Sequence, residues 1–229
     1  MSPAFYYGYN DFSADDRWKF WREHRPSAIA VDVETVSLDE RHPICLGIGM
    51  SPEEAFCFQF KGDIPTEAME ILRSWLEDIR IVKVMHNAMF DLGVIPLIPE
   101  LEGHLDRGNI FDTNIAARLL GYQETSLPLL SLELAEQTES ATDILHKHNA
   151  KDMSELPIDV VTDHCQKDVK ATYRLYMNWK EKIRSKLGEY FKVEMAVIPI
   201  LLDLSMHGII LDQQARQVLE DRYVIEVEF

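Results

Sequence analysis

Positive charge is scarce in this chain: 23 Lys and Arg stand against 39 Asp and Glu over 229 residues, a formal charge of −16. Nucleic-acid binding usually rests on an excess of cations that release counterions from phosphates, so weak affinity for a duplex is expected of this chain alone. Cysteine is rarer still. Cys45, Cys57 and Cys165 are odd in number, far apart in sequence and without CxxC spacing, which argues against a disulfide framework and a zinc site and for buried, reduced thiols. No stretch approaches the long uncharged apolar run that a membrane span requires, so no membrane partner is expected. The first ten residues lack the basic start and apolar core of a targeting signal, which makes the cytoplasm the expected compartment. Internal repeats and low-complexity stretches are also lacking.

What is present is globular: 46% hydrophobic and 10% aromatic residues, in a length that suits one well-cored domain with some appended helices. Composition marks three regions. Residues 1–27 are crowded with aromatics, and Arg17, Lys19, Arg22 and Arg25 interleave with Trp18, Phe20 and Trp21. Such a segment could stack bases while its cations meet phosphates, but an amphipathic stretch packed on the domain is the better reading. Residues 28–186 read as alternating strands and helices, and residues 187–229 as two further helices around Gly208.

In the middle region Ile29–Glu34, Ile44–Met50 and Ala55–Phe60 are short β-rich runs separated by turn formers, consistent with a meander. Phe56, Phe58 and Phe60 share a face of the third run. Pro65 opens a helical pattern through Asp78, with Met69, Leu72, Trp75 and Leu76 as its apolar stripe. Arg80–Met85 reads as a buried strand. Helical patterns follow at Ala88–Val94, at Asp112–Leu120 with Gly121 as its stop, at Leu130–Glu136, and at Ile158–Trp179. The order predicts an α/β fold, a mixed sheet flanked by helices, with extra C-terminal helices.

Three pairs of polar residues carry the chemistry. Asp32 and Glu34 are two apart on a strand and leave the same face; an exposed sheet face could carry such acids, but the neighbouring residues are apolar. Asn87 and Asp91 lie four apart directly after a strand, where α/β sheets place their sites, and Asn87 could equally cap the helix. His164 and Asp168 are four apart on a helix, a spacing that could merely support it. Three separate segments thus each offer a carboxylate at an element end. Phosphodiester hydrolysis requires a nucleophile made from water and charge stabilisation on the leaving oxygen, which two hard cations about 4 Å apart supply when held by carboxylates. Without cations, like-charge repulsion is expected to raise some of the carboxylate pKa values.

In these motifs the sequence resembles the DEDD superfamily of exonucleases, and within it the proofreading domain of bacterial and phage family-A polymerases. Asp32-Val33-Glu34-Thr35 resembles the first motif, His86-Asn87 through Phe90-Asp91 the second, and His164 through Asp168 the third. Phe111-Asp112-Thr113 and Leu119-Leu120-Gly121 resemble the segment between the second and third. Glu194 through Asp212 is similar to the stretch where family-A chains pass from exonuclease to polymerase.

The resemblance implies a ribonuclease H-like fold and a 3′→5′ exonuclease acting on the 3′ end of single-stranded DNA with two divalent ions, Mg²⁺ or Mn²⁺. It assigns Asp32, Glu34 and Asp168 to one ion and Asp32 with Asp91 to the other, and sets Thr35, Leu38 and Asn87 against the substrate. Asp112 is expected to cap its helix, and His86 to belong to the turn before Asn87. A polymerase domain in cis or in trans is the implied partner, in a host cytoplasm if the chain is phage-encoded. A ribonuclease of the same superfamily and an inactive module bracing a polymerase are the rival readings. One departure stands out: relatives with this four-residue spacing carry Tyr where this chain has His164, a side chain able to orient or deprotonate water near neutral pH. His146 and His148 lack a third ligand and are expected in a loop.

Overall fold

The computed structural model describes residues 23, 25–60, 66–132, 134 and 138–227. The aromatic-rich segment lies almost wholly outside them, as does Pro65. Five strands form one mixed sheet: β1 (Ala28–Thr35), β2 (Pro43–Gly49), β3 (Ala55–Gln59), β4 (Val82–Met85) and β5 (Ile110–Asp112), in spatial order β3-β2-β1-β4-β5. β1, β2 and β3 form the antiparallel meander, and β4 and β5 extend the sheet in parallel on the other side of β1. The mixed sheet flanked by helices is as expected. β5 is a strand that the periodicity does not predict, because three residues are too short for an alternation to register.

Among the described residues eight α-helices follow in chain order: α1 (Thr66–Glu77), α2 (Ala88–Val94), α3 (Thr113–Leu119), α4 (Leu127–Leu132), α5 (Ala141–His148), α6 (Ile158–Lys186), α7 (Gly188–His207) and α8 (Gln213–Val227). None of them is long and apolar enough to cross a membrane. α5 corrects the loop expected around His146 and His148. Ser140 caps its start by accepting from Asp143 N–H, Asn149 ends it in the left-handed region, and both histidines sit in its last turn with Lys147, whose ammonium meets the negative end of the helix dipole.

β1 is covered on both faces, so its apolar residues sort by parity. Ile29, Val31 and Val33 join a core with Met69, Leu72 and Trp75 of α1, Leu92 of α2, and Ile198 and Leu202 of α7. Ala28 and Ala30 face a second core with Val169, Leu175 and Trp179 of α6. Asp32 and Glu34 continue this second face. α6 runs on to Lys186, past the expected end at Trp179, so Asp168 lies in the first half of a long helix rather than at its end.

α6 lies unusually close to the sheet. A Cβ at Gly47 would sit 2.6 Å from Cys165 Sγ, and one at Gly49 would sit 2.9 Å from the Val169 carbonyl oxygen. The two glycines on β2 are therefore what lets the helix settle beside β1. Val169 O belongs to backbone and cannot swing aside, so Gly49→Ala must lift α6 off the sheet. Overpacking of this kind costs about 1–3 kcal/mol. Thermal denaturation of Gly49→Ala is expected to show that loss, whereas a melting point equal to the parent's would mean that the contact yields freely.

Candidate active site and metal centre

The site forms where β1, α2 and α6 meet. Parallel pairing of β1 with β4 ends at Ala30 opposite Val84; beyond it the Val33 N–H donates to Asp91 Oδ1 at 3.0 Å. The strand thereby fixes the second-motif carboxylate beside the first. From the other direction His164 sits between two acids, its Nε2 3.5 Å from Glu34 Oε1 and its Nδ1 3.7 Å from Asp168 Oδ1. One ligand atom each of Glu34, His164 and Asp168 lies within 4.8 Å of the others, and the same holds for Asp32, Glu34 and Cys165. Asp168 Oδ1 is buried with no hydrogen-bond partner.

Asp112 supplies more than the single cap expected of it. Its carboxylate accepts from Asn114 N–H at 2.8 Å and Ile115 N–H at 3.1 Å, capping α3, and from Ala88 N–H at 2.7 Å and Asn87 N–H at 3.3 Å, capping α2. Asn87 holds the capping position in a left-handed conformation without bonding through its side chain. Asn87 is exposed. His86 belongs to the same turn: the Thr113 hydroxyl donates to the Met85 carbonyl and so accepts from His86 Nδ1, at 2.8 Å. Leu38, 77% exposed, sits in the turn after β1. Thr35 is buried, and its hydroxyl donates to the Ser37 carbonyl at 2.9 Å.

Sequence reasoning missed Cys165, whose thiol points at Asp32 Oδ2 from 3.7 Å. No local pattern could have found it, since the contact spans 133 positions.

The electrostatics are those of a buried acid cluster in which the cationic influence of Lys167 on Asp168 is outweighed by burial and by Asp32. Burial pushes Asp32 up to about 6, and lifts Glu34, Asp91 and Asp168 well above the usual carboxylate range. Like-charge repulsion adds to burial for the last three, as second cause behind it. Loss of solvation thus outranks the repulsion that the sequence led us to expect. His164 is pushed down to about 4, by burial first and Lys167 second. The nearby acids would raise it if ionised, but they are themselves driven toward the neutral form, so burial wins and the imidazole is uncharged.

The donor set fits divalent cations: hard carboxylate oxygens, one of them orphaned, in a place where negative charge is unfavourable unless compensated. A stability consequence follows for the metal-free protein. Asp32 binds its proton more tightly when folded, so its contribution is largest at low pH and is lost as pH rises through about 6. Asp32→Asn, which cannot ionise, should melt close to the parent only below the unfolded pKa, at about pH 3.5 in chelator. By pH 8 it should be the more stable, by up to about 3 kcal/mol for a shift of this size. A difference that does not grow with pH would contradict the burial argument.

The chain matches the family-A DNA polymerase exonuclease model, described as 3′-5′ exonuclease, over residues 13–184. It is 26% identical to DNA polymerase I of Chloroflexus aurantiacus over 200 residues, which are 82% of this chain and 21% of that protein; the chain spans about a fifth of that polymerase. Among solved structures it is similar to Brucella melitensis NrnC, at 20% identity over 82% of this chain and 89% of that one, with TM-scores of 0.64 to the form bound to pGG and 0.63 to the form with bound Mg²⁺. It is also similar to Escherichia coli RNase D, an exoribonuclease involved in structured RNA processing, at 16% identity over 84% of this chain and 48% of that one, with a TM-score of 0.58. These likenesses are to DEDD exonucleases with the ribonuclease H-like fold, a family that uses divalent metals. With three quarters of its residues inside the match, and with Asp91 bonded to β1 and His164 and Asp168 beside Glu34, the chain belongs to the 3′-5′ exonuclease family of family-A DNA polymerases.

Proposed function

We propose that this chain removes nucleotides singly from the 3′ end of single-stranded DNA, using two divalent ions held by Asp32, Glu34, Asp91 and Asp168, as a proofreading unit for a DNA polymerase. The observation that carries this reading is the meeting of four costly acids from three elements, with Asp168 Oδ1 left partnerless. Divalent ions bound there, Mg²⁺ or Mn²⁺, supply an activated water and stabilise charge on the leaving 3′ oxygen. His164 lies beside both acids, its Nε2 3.5 Å from Glu34 Oε1 and its Nδ1 3.7 Å from Asp168 Oδ1, and as a neutral base it accepts a hydrogen bond from the attacking water and orients it. Water adds to phosphorus, the bond to the 3′ oxygen breaks, and a 5′-monophosphate leaves. Asn87, exposed on its left-handed turn, and Leu38, exposed after β1, face the terminal nucleotide; Thr35 acts by holding the turn that carries Leu38.

The match to a DNA polymerase supports DNA as substrate and a polymerase domain as partner. The surface for such a partner is the stretch from Leu204 to Leu211, where Met206, Ile209 and Ile210 are exposed. A ribonuclease reading is favoured by the likeness to RNase D, because carboxylates that grip a phosphate do not read the sugar. Digestion of 5′-labelled single-stranded DNA and RNA of one sequence in Mg²⁺ separates the two. Single-nucleotide steps on DNA, faster than on RNA, are expected, and a preference for RNA would replace the deoxy reading. Asp168→Asn should lower kcat on the order of a thousandfold and His164→Ala by about a hundredfold or more; cleavage that proceeds in chelator, or unchanged in Asp32→Ala, would end the proposal.

A further inference from the structure

Behind the carboxylates lies a second cluster of ligand atoms, and these are sulfurs. Cys45 on β2, Cys57 on β3 and Cys165 on α6 are free thiols, each at most 3% exposed, and their Sγ atoms all lie within 4.8 Å of one another. The register explains the meeting. Cys57 stands opposite Gly47, which stands opposite Asp32, and Cys45 lies two residues along β2 on the same face. Cys165 Sγ drops into the space above Gly47 that any side chain there would fill.

We propose that Cys45, Cys57 and Cys165 form a site for a thiophilic divalent cation of the zinc or cadmium kind, back to back with the hard-ion cluster. A metal–sulfur bond of about 2.3 Å in a three-sulfur arrangement requires sulfurs about 4 Å apart, which the three thiols meet with little movement. Thiolates select soft ions, while the carboxylates next door select hard ones, so the two clusters do not compete for the same cation. Binding forms three metal–sulfur bonds and breaks three S–H bonds, and the protons leave to solvent. The resulting centre has a net charge of −1. Asp32 Oδ2, 3.7 Å from Cys165 Sγ, is the nearest oxygen donor. An ion held here ties β2, β3 and α6 together at the point where α6 crosses the sheet, and its burial means that it enters by local opening and leaves slowly.

The test is a titration of the whole chain with Cd²⁺ alone, in a phosphine reductant and without chelator. One equivalent should produce the ultraviolet charge-transfer band of cadmium thiolates and raise Tm by about 5–10 °C at hundredfold saturation. Cys57→Ala should lose both, and Asp91→Asn, which breaks the carboxylate cluster and keeps all three thiols, should retain the band. X-ray absorption of the cadmium-loaded parent protein should count three sulfurs, independently of any variant. A first shell dominated by oxygen, no band at one equivalent, or a band undiminished in Cys57→Ala would overturn the proposal.

Discussion

The close seating of one long helix on the sheet governs the rest of this structure. α6 carries His164 and Asp168, and they reach Asp32 and Glu34 because β2 presents hydrogen where other residues present Cβ. Gly47 accepts the Cys165 sulfur and Gly49 the Val169 backbone. Core packing tolerates errors of a methylene poorly, and a site whose ligands must converge tolerates them less. Two glycines without any polar group of their own thus set how closely the third motif approaches the first.

Bringing four carboxylates together opposes folding, and the surroundings offset that in two ways. Backbone donors at element ends fix the acids or the turns beside them: Val33 N–H holds Asp91, and four N–H groups from two helix starts hold Asp112. A cation bound among these acids would compensate the charge that the fold leaves buried, so affinity for metal and the cost of clustering the acids would be two sides of one free energy. The remaining acid is spread over the surface, which leaves the expectation of weak duplex affinity standing.

The middle of α7 joins the first core. Ile198 and Leu202 pack with α2 and the sheet, and Met195 accepts a hydrogen bond from Asp112 N–H. The segment that resembles the passage to a polymerase therefore begins as part of the nuclease scaffold. From Asp203 to Tyr223 every residue is exposed.

By itself the sequence determined what is written in short-range pattern. The parity of β1, the four-residue spacing on α6, and the glycine stop at Gly121 each reflect a local geometry that neighbouring residues dictate. The three motifs, and the family with them, were legible for the same reason. Tertiary structure alone decided what depends on distant partners: the strand status of Ile110–Asp112, the double capping by Asp112, the thiol of Cys165 against Asp32, and the predominance of burial over repulsion in the acid cluster. Those outcomes follow from which surfaces meet and how much water they exclude, quantities that no window along the chain contains.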